Sequence, residues 1–431
     1  MKVEIVDKIL VHSPPVNEYT QKWGVYCIPR LWRALDGTLV VRFNGEEDTD
    51  FTENMNSAPN LYFTSSDEGK SWQFCEDGAE KYDICVLSGW DSPYLKCSDG
   101  VTRAIRFKEK YEKVNGKAEP IKSFENSYNG AILAVYRQAD LPKECFNCEL
   151  LEYTDITKAP KVTPISIDFP ERELYAVAAA HDEEGILREV DHHIKPHIFA
   201  MPFINCIFEM PDGTLGGLCY GQNPIVSDRY CLEGYFMVSE DKGVTWKKRG
   251  LITPNSQDYY YGLVGDGGEM TITVAQNGDL LCVTRTDLST DHLANNTTCG
   301  ARLFVSHDNG FTWEGGEEIS DESVTPQLRT LKNGVIICAY GRPGVHFKYS
   351  CDHGKTWSEP VSIIGKTLKE ELAQGKDYMT SKYWDTPSYS NLFAEVLEDD
   401  SVLVLYNNQK YDEGDGQNHK AAFIAVLKCV E

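Results

Sequence analysis

The side chains best suited to chemistry in this chain stand at fixed distances from a repeated turn. Counting from the glycine of each Asp-Gly or Asn-Gly turn, Asn44, Arg137, Tyr220 and Arg285 lie seven residues beyond it, and Arg342 lies one position later in its own unit. The runs leading into those turns start at Cys27, Glu269 and Tyr389. These types cover three tasks. A guanidinium binds a planar anion through paired donors, a carboxylate accepts a proton, and a phenol or thiol becomes a nucleophile once deprotonated. Taken singly, each has an ordinary explanation: a strand-start Tyr packs, a Glu after glycines serves a turn, and a strand-end Arg makes a surface ion pair. Their common place in the repeat joins them into one candidate set.

The elements that must position this set are hairpins. Six copies of a β-rich run, a tight turn and a second β-rich run occupy residues 26–42, 127–137, 203–215, 270–285, 327–340 and 389–406. Their turns are Asp36-Gly37, Asn129-Gly130, Asp212-Gly213, Asn277-Gly278, Asn333-Gly334 and Asp400-Ser401, so only the last lacks Gly. Such dipeptides between alternating hydrophobics are the strongest local hairpin signal.

A second pattern, Ser-x-Asp-x-Gly-x-Ser/Thr-Trp, occurs four times: Ser65 to Trp72, Ser239 to Trp246, Ser306 to Trp313 and Ser350 to Trp357. Its chemistry is that of a turn between strands: a short carboxylate for backbone N–H groups, a Gly free to take positive φ, and a Trp that folds back on the sheet. In four of six units it follows the hairpin at the distance of the next one, giving four antiparallel strands per unit. The expected fold is therefore an all-β, six-bladed β-propeller, one domain over residues 1–431. Residues 3–11 should complete the blade containing 421–429 and so close the ring. Long loops are expected near 91–120 and 141–200, and a short helix over 368–374. The octapeptides are struts, away from the channel.

A formal net charge of −24, with 66 acidic against 42 basic residues, argues against nucleic acid or an anionic membrane as partner. An anionic ligand would need a locally basic pocket. No stretch approaches eighteen apolar residues, and the start, Met1-Lys-Val-Glu-Ile-Val-Asp-Lys, lacks the apolar centre of a signal peptide. The expectation is a soluble, cytoplasmic protein, with secretion left open for a trimmed leader and the oligomeric state undefined. The 14 cysteines are dispersed, many in apolar runs, and read as reduced buried thiols. Cys145-Phe-Asn-Cys148 is a lone CxxC without a second pair, and it carries no metal or redox assignment.

With these motifs in place, the chain resembles the sialidase (neuraminidase) superfamily, whose six-bladed propeller carries the same turns, known there as Asp boxes. The resemblance implies that Tyr389 in Tyr-Ser-Asn-Leu is the nucleophile and Glu269 in Gly-Gly-Glu-Met its proton acceptor. It implies that Arg285 and Arg342 hold a sugar carboxylate, and that Asp48 or Asp50, after the first hairpin, is the acid/base. No metal or organic cofactor is implied. The physical logic is coherent: a carboxylate on the anomeric carbon repels an anionic nucleophile, whereas a neutral Tyr deprotonated by a Glu can approach. The implied activity is a retaining exo-glycoside hydrolase acting on a carbohydrate that carries a carboxylate.

One position departs. The family opens its first inner strand with Tyr-Arg-Ile-Pro, and the Arg is the first arm of its carboxylate clamp; this chain has Tyr26-Cys27-Ile28-Pro29. Loss of one bidentate contact would cost about 1.5–3 kcal/mol. Arg30 is near but out of register, expected on the opposite face of the strand. Cys27 is a buried strand thiol or, alternatively, a nucleophile. The run Asp191-His-His-Ile-Lys195-Pro-His197 could bring Lys195 and His197 to the channel mouth as a substitute cation. Two further readings stay open: a carbohydrate-binding propeller without catalysis, and a hydrolase or lyase for a uronic or deoxy sugar.

Overall fold

The computed structural model describes residues 1–22, 24–27, 29–45, 59–82, 93–107, 122–125, 132–137, 148–168, 175–179, 197–198, 201–222, 232–253, 269–285, 300–322, 324–378, 380–381, 385–389 and 392–430. Within them the chain is a six-bladed propeller of antiparallel sheets. From the channel outward, blade 1 holds Arg30–Arg33, Leu39–Phe43, Leu61–Ser65 and Gln73–Phe74, and blade 2 holds Leu95–Lys96, Thr102–Phe107, Cys148–Tyr153 and Lys161–Pro164. Blade 3 holds Met201–Glu209, Leu215–Gln222, Leu232–Ser239 and Thr245–Thr253, with Ser166–Asp168 added in parallel at its outer edge. Blade 4 holds Met270–Val274, Leu280–Thr284, Arg302–Ser306 and Glu314–Glu318; blade 5 holds Val324–Thr330, Ile336–Gly341, Val345–Ser350 and Val361–Ile364.

Blade 6 is closed by both chain ends. Its strands Phe393–Val396, Val402–Tyr411 and His419–Val430 are completed by Lys2–His12, with Val3 opposite Cys429, as the two apolar runs led us to expect. Apolar layers between neighbouring blades form the core; Leu39 and Val41 of blade 1, for example, meet Leu403 and Leu405 of blade 6. The surface helix Leu368–Ala373 forms where its composition predicts, capped by reciprocal bonds between Thr367 and Glu370.

All six inner hairpins share one turn. In each, an N–H donates to the carbonyl four residues on: Ala34 to Thr38, Cys97 to Val101, Met210 to Thr214, Ala275 to Asp279, Leu331 to Val335 and Leu397 to Ser401, at 2.8–3.0 Å. Two of these correct the sequence reading. The second blade turns at Asp99-Gly100, inside a region expected to be a loop, whereas the run 132–137 pairs in a separate sheet of Lys122–Glu125, Ile132–Arg137, Tyr175–Ala179 and His197–Ile198. Short flanking runs hid the true hairpin, since Leu95–Lys96 is only two residues long. In the last blade the register moves by one: Asp399 accepts from Ser401 N, and Asp400 itself takes φ +66° where the other turns use Gly.

The octapeptides bridge third and outer strands, as their residues imply. In the third copy Asp308 accepts from Ser306 Oγ at 2.8 Å, Thr312 N at 2.9 Å and Thr312 Oγ1 at 2.6 Å, while Trp313 Nε1 donates to Gly310 O at 3.2 Å. These bonds hold the Asp308 carboxyl down at about 2, led by the Thr312 hydroxyl. The residue before each Gly is also left-handed, with φ between 59° and 62° at Glu68, Lys242, Asn309 and His353.

Candidate active site

Four of the sequence-selected side chains are brought into two buried pairs, on blades 4, 5 and 6. Glu269 precedes the inner strand of blade 4 and Arg285 follows the second strand, so the hairpin register sets them side by side, with Arg285 N donating to Glu269 O at 2.9 Å. Their side chains form an ion pair, Arg285 Nη1 to Glu269 Oε1, of 2.9 Å. Arg342 stands at the tip of the hairpin between the second and third strands of blade 5. Its Nε donates to Tyr389 O at 2.7 Å, and its guanidinium carbon lies 3.8 Å from the centre of the Tyr389 ring. All four residues are 4–5% exposed.

Thr325 bonds Glu269 of the first pair and the chain just beyond Tyr389 of the second. Its N–H donates to Glu269 Oε2 at 2.6 Å, and its Oγ1 accepts from Leu392 N, three residues past Tyr389, at 2.9 Å. This is possible because the inner strand of blade 5 is bulged between Val324 and Gln327, and Thr325 adopts φ +41°. A β-branched residue at positive φ is a strained exception that marks functional sites. Thr325 was missed by the sequence reading; the Thr325-Pro326 dipeptide inside a strand run was the available signal, because Pro within a blade strand forces an edge or a bulge. Asn407, also missed, is fully buried and fixes the Tyr389 segment by accepting from Tyr389 N at 2.9 Å and Ser388 Oγ at 3.0 Å.

The first clamp position is not as expected. Cys27 does not open a strand: Gly24 and Tyr26 take φ of 79° and 53°, Cys27 N donates to Gly24 O, and the inner strand begins three residues later at Arg30. The expected alternation between Cys27 and Arg30 therefore does not apply, because Cys27 lies in a turn ahead of the strand and not within it. Cys27 is 1% exposed, while Arg30 is half-buried opposite Arg42. Asp48, Asp50 and Lys195 lie outside the described residues. His197 is on a two-residue strand opposite Val177, in the separate sheet.

The BNR repeat-like domain family matches residues 196–419, more than half of the chain. The chain belongs to that family. As a BNR-repeat propeller it falls in the sialidase/BNR-repeat superfamily that the Asp boxes suggested. Among solved structures, a protein of unknown function from Dyadobacter fermentans is similar at 16% identity, over 99% of each chain, with a TM-score of 0.54. A Hadza microbial sialidase is 13% identical over 94% of this chain and 66% of its own, with a TM-score of 0.47. An α-L-arabinanase from Penicillium chrysogenum, solved with arabinobiose, is 14% identical over 98% of each chain, at 0.44. No curated protein sequence matches this BNR-repeat chain.

Proposed function

We propose that this protein is a retaining exo-glycoside hydrolase acting on a terminal acidic sugar, a sialic acid or a relative. The observation that supports the reading is that two buried pairs, Tyr389–Arg342 and Glu269–Arg285, lie on neighbouring blades, with Thr325 bonded both to Glu269 and to Leu392, three residues past Tyr389. In this reading the Tyr389 hydroxyl proton passes to Glu269 as the phenol oxygen bonds to the anomeric carbon. The bond to the leaving oxygen breaks, and that oxygen takes a proton from Asp48 or Asp50. Water, deprotonated by the same Asp, then displaces Tyr389 with net retention, and the released phenol oxygen takes its proton back from Glu269.

Arg285 and Arg342 are the proposed carboxylate-binding arms. A guanidinium has five N–H donors, so an orienting contact through one nitrogen is compatible with holding a carboxylate through others. With Cys27 in the first clamp position, binding of the carboxylate is weaker by about 1.5–3 kcal/mol than a three-arginine clamp would give. Lys195 and His197 are the proposed substitute cations. A carbohydrate-binding propeller is the second reading, favoured by the burial of Cys27 in a turn, which offers no charge to a ligand.

The test is a panel of aryl glycosides of sialic, uronic and neutral sugars, with the anomer first released read by NMR. Release of the retained anomer from an acidic glycoside supports the proposal; binding without turnover across the panel favours the second reading.

A further inference from the structure

Behind the Arg342 tip lies a buried pair that the proposed chemistry does not use. Glu322, in the link between blades 4 and 5, and His346, on the third strand of blade 5, are each 1% exposed. His346 Nδ1 and Glu322 Oε2 are 3.0 Å apart, and the imidazole stacks on Tyr340, its cross-strand partner, at 6.3 Å. Burial raises the Glu322 carboxyl. Burial alone would lower the His346 imidazole, but the hydrogen bond and charge of Glu322, together with the charges of Asp321 and Glu370, outweigh it and hold the ring above its usual value.

Each member of the pair is close in the chain to one half of the site. Glu322 is three residues before Thr325, which holds Glu269, and its carbonyl accepts from Ser320 Oγ and Ala301 N. His346 lies under the hairpin tip that carries Arg342. A Cβ on Gly344 would fall 2.6 Å from His346 Cε1 and 2.5 Å from Ile364 O, so the tip backbone rests against the imidazole. From its other side the tip is held by Thr386, whose Oγ1 donates to Pro343 O and sits 2.6 Å from Ser388 O, next to Tyr389. A buried carboxyl–imidazole pair is a weak source of stability, and well-packed apolar residues would fill the same space at less cost in desolvation.

We propose that Glu322 and His346 are positioning residues: their bond fixes the Arg342 tip relative to the Thr325 bulge, and so sets Arg342 on Tyr389 in register with Glu269. The inference rests on the hydrolase reading only for its kinetic consequence. An Asn at 346 can present its amide near the Nδ1 position and keep the bond to Glu322, whereas a Gln reaches past it.

The test compares crystal structures of wild type, His346→Asn and His346→Gln, with KM for whichever acidic glycoside the wild type turns over. In His346→Gln the Arg342 Nε to Tyr389 O separation should exceed 3.5 Å and KM rise about tenfold, with His346→Asn within about twofold of wild type. Should His346→Gln not fold, Glu322→Leu, an apolar replacement of similar size, is read the same way. Retention of the 2.7 Å contact in a bond-breaking variant, or equal KM for Asn and Gln, overturns the proposal. If the wild type turns over no glycoside, the hydrolase reading fails, and the crystallographic comparison alone decides this one.

Discussion

Replacing Glu269 by Leu should destabilise the fold more than replacing its partner Arg285 by Met, and the difference can be worked from the contacts. Either change leaves the other member of a 2.9 Å ion pair, 4–5% exposed, without its opposite charge. Breaking a buried pair from one side costs about 3–5 kcal/mol. Glu269→Leu also removes the acceptor of the Thr325 N–H at 2.6 Å, a hydrogen bond to a charged group, for a further ~1.5–3 kcal/mol. The double variant buries neither charge, so it should recover most of the pair-breaking loss that each single variant carries and none of the second, giving a coupling energy of about 6 kcal/mol or more. Urea unfolding of the four proteins, read as midpoint shifts at a common m-value, measures all three quantities. Losses that add to within about 0.5 kcal/mol would refute the reasoning, as would an Arg285→Met variant less stable than Glu269→Leu.

Two further predictions concern the frame. Asp308→Asn in the third Asp box should cost about 1–2 kcal/mol, because it weakens three bonds to an ionised carboxylate. The Asp308 carboxyl is lowered to about 2 in the fold, so its contribution is present above the unfolded value and lost as pH falls from about 4 through 2. Acid titration of stability should therefore be shallower in the Asn variant over that window, and an unchanged slope would count against the Asp-box account. Deleting residues 1–12 removes the strand paired with His419–Val430 and uncovers that strand's edge. The truncated protein should melt at lower temperature and aggregate on concentration, and a monodisperse protein of unchanged Tm would show that this closure is dispensable.

The fold was legible because its signals are local and repeated. A left-handed Gly after Asp or Asn writes a hairpin into the sequence, and the Asp-box hydroxyls and Trp mark the next turn outward. The second blade escaped because its inner strand is two residues long, and Asn129-Gly130 offered a stronger but misleading run. Of the candidate site, the Tyr, Glu and two Arg that form its two buried pairs were reached by counting from turns. Thr325 was not, because its role depends on a bulge that changes the register by which positions are counted. The Glu322–His346 pair was invisible for a related reason: its members lie on different elements with no shared motif, and only the ring brings them together.

The central claim is that Tyr389 performs covalent catalysis on an acidic glycoside. Its most direct test is the turnover of an aryl sialoside by wild type and by Tyr389→Phe, with circular dichroism and Tm showing both folded. Removing only the hydroxyl keeps the ring under Arg342, so the account predicts a loss of at least a hundredfold in kcat with binding of the sugar retained. Turnover by Tyr389→Phe equal to wild type would contradict it.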